Sequence, residues 1–68
     1  MTYSKKEIAQ KLGFIMPSYR INYDRLKIEL IERGVLAALN MTEKQYDEHR
    51  NRRFNAIQSK KMSDLLGL

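Results

Sequence analysis

The sequence predicts an all-α fold, a compact domain of three to four helices that covers residues 1–68 and includes a long C-terminal helix. Three helix-capping patterns, near residues 4, 22 and 42, each precede apolar residues at helical spacing. The composition is 43% hydrophobic and 31% charged, which is typical of a globular chain. With 68 residues and no cysteine, one small core must supply the stability without disulfides or a thiolate zinc site.

The first helix is predicted over residues 5–12. Ser4 can cap it, because its hydroxyl can accept a hydrogen bond from the Glu7 N–H while the Glu7 carboxylate reaches back to the Ser4 N–H. Tyr3 and Ile8 occupy the two positions of a hydrophobic staple. Together these features fix where the helix begins.

The segment after the first helix has several interpretations. Gly13 can end that helix in the left-handed conformation. A second helix could begin near Ser18, or a loop could run as far as Asn22, which would then cap the helix. The alternating residues 19–23 could also form a short strand. We favour a helix that covers at least residues 23–33.

The second half of the chain is predicted to hold a short apolar helix over residues 35–39 and a long helix over residues 43–62. Thr42 and Gln45 form a second capping box, and no glycine or proline interrupts the residues that follow. The apolar tail needs cover, either from the protein's own core or from a second copy. The predicted core consists of Ile8, Ala9, Leu12, Leu26, Leu30, Val35, Leu39 and Tyr46.

The net charge of +5 is concentrated in one segment. Residues 50–61 contain five bases and no acid, whereas the rest of the chain contains eight bases and eight acids. A localised basic patch is expected of a protein that binds phosphate backbones. A solvated helix whose bases complement the dipole at its C-terminus would have the same composition, so both interpretations stay open.

The run E-I-A-Q-K-L-G-F, at residues 7–14, resembles the first helix and turn of a helix-turn-helix DNA-binding unit. In that unit a small residue, here Ala9, lies where two helices cross, and a glycine four positions later makes the turn. Pro17 and Asn22 depart from the pattern, which suggests a longer turn of the kind found in winged or excisionase-like variants. Residues 35–46 resemble the unit more weakly, because they lack its small residue and its glycine.

The resemblance implies sequence-specific binding of double-stranded DNA by a small regulator of phage or mobile-element origin. The segment after the turn would contact base edges and the arginines of the basic segment would hold phosphates. The weaker match would place Lys44 and Gln45 in the groove instead. A small core and an apolar tail also predict a homodimer. The candidate DNA-binding residues are Ser18, Tyr19, Arg20, Asn22, Arg25, Lys44, Gln45, Arg50, Arg52 and Arg53.

Little in the sequence points to catalysis. His49 is the only histidine and is predicted on an exposed helix, and neither a glycine-rich phosphate loop nor a nucleophile–base pair is visible. We therefore expect no enzymatic activity, no cofactor or metal and no small-molecule ligand. The longest apolar run, residues 35–39, is too short to span a bilayer, so we expect a cytoplasmic protein without a membrane partner.

A small helical protein-binding module is the alternative function. The predicted C-terminal helix has few apolar residues, and the tail after it ends in leucines. Such a segment could dock in a groove of another protein, as in an inhibitor or an assembly factor.

Overall fold

The computed structural model describes residues 1–50 and 52–68, and these residues form five helices. The helices are α1 (Lys5–Leu12), α2 (Tyr23–Glu32), α3 (Val35–Ala38), α4 (Glu43–Glu48) and α5 (Ala56–Leu66). The predicted all-α class is confirmed, since strand-like pairing in the described part of the chain is limited to one antiparallel bridge between Ile15 and Ile21. Helix α2 packs against α1 and α3, and α3 packs against α5.

Helix α1 begins at the predicted cap. The Ser4 hydroxyl accepts a hydrogen bond from the Glu7 N–H at 3.2 Å. The Glu7 carboxylate accepts a hydrogen bond from the Ser4 hydroxyl at 3.3 Å and pairs with the Arg53 guanidinium at 2.5 Å, so only the Ser4 half of the predicted capping box forms. Gly13 ends the helix in the left-handed conformation, with a φ of 77°.

Residues 13–22, which we call the hairpin, connect α1 to α2 and belong to neither helix. The Asn22 N–H donates to the Phe14 carbonyl at 2.8 Å, and the Met16 N–H donates to the Arg20 carbonyl at 2.8 Å. These two bonds hold the outgoing and returning arms together. The chain therefore reverses direction in a turn that projects from the helices.

Helix α2 begins as the loop interpretation predicts, and a helix that starts near Ser18 is wrong. The Asn22 side chain accepts a hydrogen bond from the Arg25 N–H at 3.0 Å, so Asn22 is the N-cap. The short strand that residues 19–23 could have formed reduces to the single bridge. At its other end α2 stops at Glu32, one residue before the predicted limit.

The long helix predicted over residues 43–62 is wrong: residues 49–50 and 52–55 separate α4 from α5, and Asn51 lies outside the described residues. On one straight helix the side chains of Tyr46 and Phe54 would point about 80° apart, and those of Tyr46 and Met62 about 160° apart. They could not all face one core. Because the helix is interrupted, all three side chains reach the core: Tyr46 is 3% exposed, and Phe54 and Met62 are 0% exposed.

The α4–α5 connection (residues 49–50 and 52–55) is held by contacts that local sequence does not reveal. The Phe54 N–H donates to the Tyr3 carbonyl at 2.7 Å. The His49 ring stacks on the Phe54 ring with centroids 4.2 Å apart, so His49 is half-buried at the end of α4 instead of exposed along a helix. Burial lowers the pKa of the His49 imidazole. Asn55 and Gln58 form a capping box that starts α5.

The core contains most of the predicted residues. Six of the eight are buried, and Leu12 and Leu39 are partly buried against them. Of the tail leucines, Leu66 is buried, Leu68 packs against the core and Leu65 stays 47% exposed. Within the described residues no helix combines the length and the apolar character needed to cross a membrane. Further core residues are Tyr3, Leu36, Phe54, Met62 and Leu66.

Candidate nucleic-acid interface

The tip of the hairpin presents three of the predicted DNA-binding residues, Ser18, Tyr19 and Arg20, and all three are exposed. The Tyr19 side chain is 91% exposed. Its backbone has a φ of 63°, in the left-handed region. That conformation costs a residue other than glycine roughly 1–2 kcal/mol, because its Cβ crowds the following carbonyl oxygen. The tip therefore displays a bulky aromatic residue where glycine or asparagine would be less strained.

The surroundings of the tip are apolar and free of acids. Ile15 is 46% exposed and Met16 is 36% exposed, on the arm opposite Arg20. Residues 13–22 contain one base and no acid. An exposed aromatic ring with apolar neighbours and a guanidinium beside it matches the chemistry of nucleic-acid bases and phosphates.

Two predicted contact residues at the base of the hairpin have structural partners. The Asn22 amide oxygen is committed to capping α2. The Arg25 guanidinium lies 5.6 Å from the Phe14 ring centroid and pairs with Glu29 at 3.0 Å. Arg25 thus connects α2 to the hairpin, and its side chain is 56% exposed.

A second basic feature, which we call the basic pocket, lies beside the start of α1. It is a shallow cavity of about 360 Å³ lined by Ser4, Lys5, Lys6, Tyr23 and Arg50. Two lysines in the first turn of α1 lie beside one arginine that follows the C-terminal end of α4. Three cationic side chains therefore line one open depression.

The sequence interpretation included Arg50 but missed Lys5 and Lys6. A signal for them was available: two lysines directly follow a helix cap, where the helix dipole normally favours acidic residues. Cations at these unfavourable positions suggest a role other than helix stability.

The three cations of the pocket differ in how firmly they are held. The Lys5 ammonium donates to the Tyr46 carbonyl at 2.7 Å and lies 3.9 Å from the centre of the Tyr46 ring. Burial lowers the pKa of Lys5, and the nearby Asp47 carboxylate opposes that shift. Lys6 and Arg50 are exposed. Lys5 therefore forms the fixed wall of the pocket, and Lys6 and Arg50 form its accessible rim.

The structure separates the three arginines that were predicted to hold phosphates. Arg50 lines the basic pocket and Arg52 is exposed beyond it. Arg53 instead pairs with Glu7 and donates through Nε to the Thr2 hydroxyl at 2.9 Å. Its guanidinium ties the N-terminal residues to the α4–α5 connection, so any contact with a phosphate would compete with these bonds.

The alternative groove residues lie on α4. Lys44 is exposed, whereas the Gln45 side chain accepts a hydrogen bond from the Thr42 N–H at 2.9 Å and completes a capping box. Asp47, on the same helix, pairs with Lys27 at 2.9 Å. The Gln45 amide oxygen is thus committed to the cap, whereas the Lys44 ammonium forms no ion pair within residues 1–50 and 52–68.

The hairpin tip and the basic pocket are close along the chain. Tyr23 lines the pocket and follows Tyr19 by four positions. Four residues of fully extended chain span at most about 14 Å, which sets an upper limit on the distance between these two Cα atoms. A short segment of chain therefore joins the tip to one wall of the pocket.

The connections between helices bear on the helix-turn-helix resemblance. Residues 13–22 separate α1 from α2, and this connection is longer than the three- to four-residue turn of that unit. Residues 39–42, which separate α3 from α4, have the length of that turn.

No protein-family model, curated protein or solved structure matches this chain.

Proposed function

We propose that this chain binds double-stranded DNA sequence-specifically, as a small regulator of the kind that phages and mobile elements carry. The hairpin tip lies against the bases, and the basic pocket with Arg52 holds the phosphate backbone. The observation that carries the proposal is the acid-free tip, with Tyr19 and Arg20 exposed, which leads within four residues into a pocket lined by Lys5, Lys6 and Arg50.

The dimensions of B-DNA agree with a hairpin tip at the bases and a basic pocket at the phosphates. The minor groove is about 6 Å wide and the major groove about 12 Å wide, and the major groove admits a two-stranded ribbon. A tip that enters a groove would bring Tyr23, which lines the pocket and whose Cα lies no more than about 14 Å from that of Tyr19, toward the phosphates that border that groove.

The charges on this surface also favour a polyanion. Lys6, Arg50 and Arg52 are exposed, and none of them forms an ion pair within residues 1–50 and 52–68. Each is free to neutralise a phosphate and release a condensed counterion, which is the main source of affinity for DNA.

In this proposal the hairpin, and not a helix, reads the bases, so the unit is closer to a winged or excisionase-like variant than to a plain helix-turn-helix. Residues 35–46 keep a short turn between α3 and α4. Their use as the reading element is less favourable, because Gln45 is engaged in the cap and Asp47 and Glu48 would lie close to phosphates.

Two variants test the division between bases and phosphates. Arg20→Ala should narrow the affinity difference between a selected site and random duplex, because a good base contact is worth roughly 1–3 kcal/mol of discrimination. Lys6→Ala combined with Arg50→Ala should weaken binding to both DNAs alike and make the salt dependence shallower by about one unit per lost contact. Lys44→Ala, on α4, is the matched control and should change neither.

The measurement is fluorescence anisotropy with a labelled duplex over a series of salt concentrations, after selection of a preferred site from random DNA. A charge-reversed variant with Lys6→Glu and Arg50→Glu that still binds random duplex at full affinity would contradict the assignment of phosphates to the basic pocket. Failure of the wild type to bind any duplex at low salt would contradict DNA binding itself.

A protein-binding module is the second candidate function, and the surface of α5 favours it. Ile57 is 70% exposed and Leu65 is 47% exposed, eight positions apart on one face with Lys61 between them. The same face could pair with a second copy, so the homodimer stays a proposal. Sedimentation of the wild type and of Ile57→Ser tests the homodimer. A dimer held by α5 should dissociate in the variant. The wild-type dimer should persist at salt concentrations that release DNA.

A further inference from the structure

The hairpin tip combines two features of Tyr19 that folding alone does not explain. The residue adopts a φ of 63°, a left-handed conformation that a bulky side chain seldom occupies. The side chain is 91% exposed, so the ring gains almost no packing against the rest of the protein. A residue that strains the backbone and contributes nothing to the core is expected where a binding partner uses the side chain.

We infer that Tyr19 is a wedge, whose ring inserts at a base step of duplex DNA, stacks on the base it uncovers and bends the helix. This inference rests on the proposed function and adds to it a mechanism for deforming the DNA. Proteins that bend DNA insert apolar side chains between base steps, and the unstacking is offset by the larger surface that the bent duplex contacts.

The neighbours of Tyr19 suit a DNA base step better than a protein or a membrane. Ile15 and Met16, on the opposite arm of the hairpin, are partly exposed and would cover the apolar face of an opened step. Arg20 follows directly and would contact the edge of a base beside the opened step. The absence of acids from residues 13–22 removes the repulsion that a polyanion would otherwise meet at close approach.

The hairpin also fixes the backbone around Tyr19 before DNA binds. The Tyr19 N–H donates to the Met16 carbonyl, and the Met16 N–H donates to the Arg20 carbonyl, each at 2.8 Å. The backbone on both sides of Tyr19 is thus fixed, and only the two side-chain torsions remain to be ordered. Preorganisation of this kind lowers the entropic penalty of insertion.

The test is ligase-mediated circularisation of a duplex of about 100 base pairs, which is shorter than the persistence length of about 150 base pairs and closes only when it is bent. The fragment carries several flexible TA steps and is saturated with protein at low salt, so that a loss of affinity does not mimic a loss of bending. Binding by anisotropy and thermal melting by circular dichroism are measured on the same samples.

We compare the wild type with Tyr19→Phe, which keeps the ring, and Tyr19→Asn, which removes it and tolerates the left-handed conformation. Wild type and Tyr19→Phe should stimulate circularisation. Tyr19→Asn should lose the stimulation, bind random duplex roughly fivefold or more weakly, as expected from one lost stacked base, and melt at a higher temperature than the wild type.

Each other outcome contradicts the inference. Tyr19→Asn that circularises the fragment as well as the wild type would show that the ring is not a wedge, and a lower melting temperature in that variant would show that Tyr19 supports the fold. Wild type that binds the duplex without stimulating closure would overturn the wedge and leave DNA binding intact. Wild type that binds no duplex would overturn both.

Discussion

The hairpin and the α4–α5 connection are both non-helical links between helices, and they place their aromatic residues in opposite environments. The hairpin places Tyr19 in solvent, 91% exposed, whereas the connection places Phe54 in the core, 0% exposed. The hairpin is fixed by bonds within itself, and the connection by bonds to the N-terminal residues. The α4–α5 connection therefore serves stability, and the hairpin is free to serve binding.

The largest effect is expected from Phe54→Ala in the connection. Truncation of a fully buried phenylalanine typically costs about 3–5 kcal/mol, which approaches the whole stability of a small domain. The variant should be largely unfolded at 25 °C by circular dichroism. Tyr19→Asn, which removes the 91% exposed aromatic residue of the hairpin, is the control and should melt no lower than the wild type. Equal destabilisation by the two variants would remove the contrast between the links.

Ser59→Ala should have the next largest effect. The Ser59 hydroxyl is buried, accepts a hydrogen bond from the Tyr3 N–H at 3.0 Å and donates to the Phe54 carbonyl at 3.2 Å. Its loss leaves buried backbone groups without these partners, at roughly 1–3 kcal/mol. Chemical denaturation should show a lower midpoint with an unchanged slope. Ser63→Ala, on the same helix and less buried, should cost less.

Arg53→Ala should have a smaller effect that depends on pH. The hydrogen bond from Arg53 lowers the pKa of the Glu7 carboxyl group. Stabilisation by a carboxylate with a lowered folded pKa is present above the unfolded pKa of about 4.3 and disappears as the pH falls through the folded value. The difference in melting temperature between wild type and Arg53→Ala should therefore be largest near neutral pH and shrink in acid.

A difference that persists in acid would report on the bonds from Arg53 to Thr2, which do not titrate. Arg20→Ala removes an exposed charge that forms no ion pair within residues 1–50 and 52–68, and it should show no pH-dependent difference from the wild type. A difference between wild type and Arg53→Ala that is constant from pH 7 to pH 3 would contradict a stabilising role for the pair with Glu7.

The smallest effect on stability is expected from Arg20→Ala at the hairpin tip. The side chain is exposed, so the melting temperature should match that of the wild type. The same substitution should reduce discrimination between DNA sequences. A clear loss of stability would show that the tip supports the fold, and would weaken the distinction between the two links.

The helices were predictable where their signals are local. Ser4, Asn22 and Thr42 start their helices through side-chain caps that lie within three residues of their partners. The end of α4 was not predictable in this way, because its cause is the burial of Phe54 against residues from the N-terminus. The Asn55–Gln58 capping box was present in the sequence and would have located the start of α5.

The candidate interface was predictable only in part for the same reason. The exposure of Tyr19 and Arg20 agrees with their sequence context, since turn residues and a proline precede them. The basic pocket joins Lys5 and Lys6 to Arg50, more than forty positions away, and no local pattern encodes that meeting. The engagement of Arg53 by Glu7 is equally non-local, and it removes one cation from a cluster that looked uniform in the sequence.

The hydrogen bonds that join Tyr3 to Phe54 and Ser59 have a consequence for how the protein is made. Tyr3 and Ser59 are 56 positions apart, so Tyr3 leaves the ribosome well before its partners do. Closing that loop costs roughly 2 kcal/mol more chain entropy than closing one helical turn. Helices α1 to α4 emerge with an open core, and the nascent chain cannot complete its fold until α5 is released.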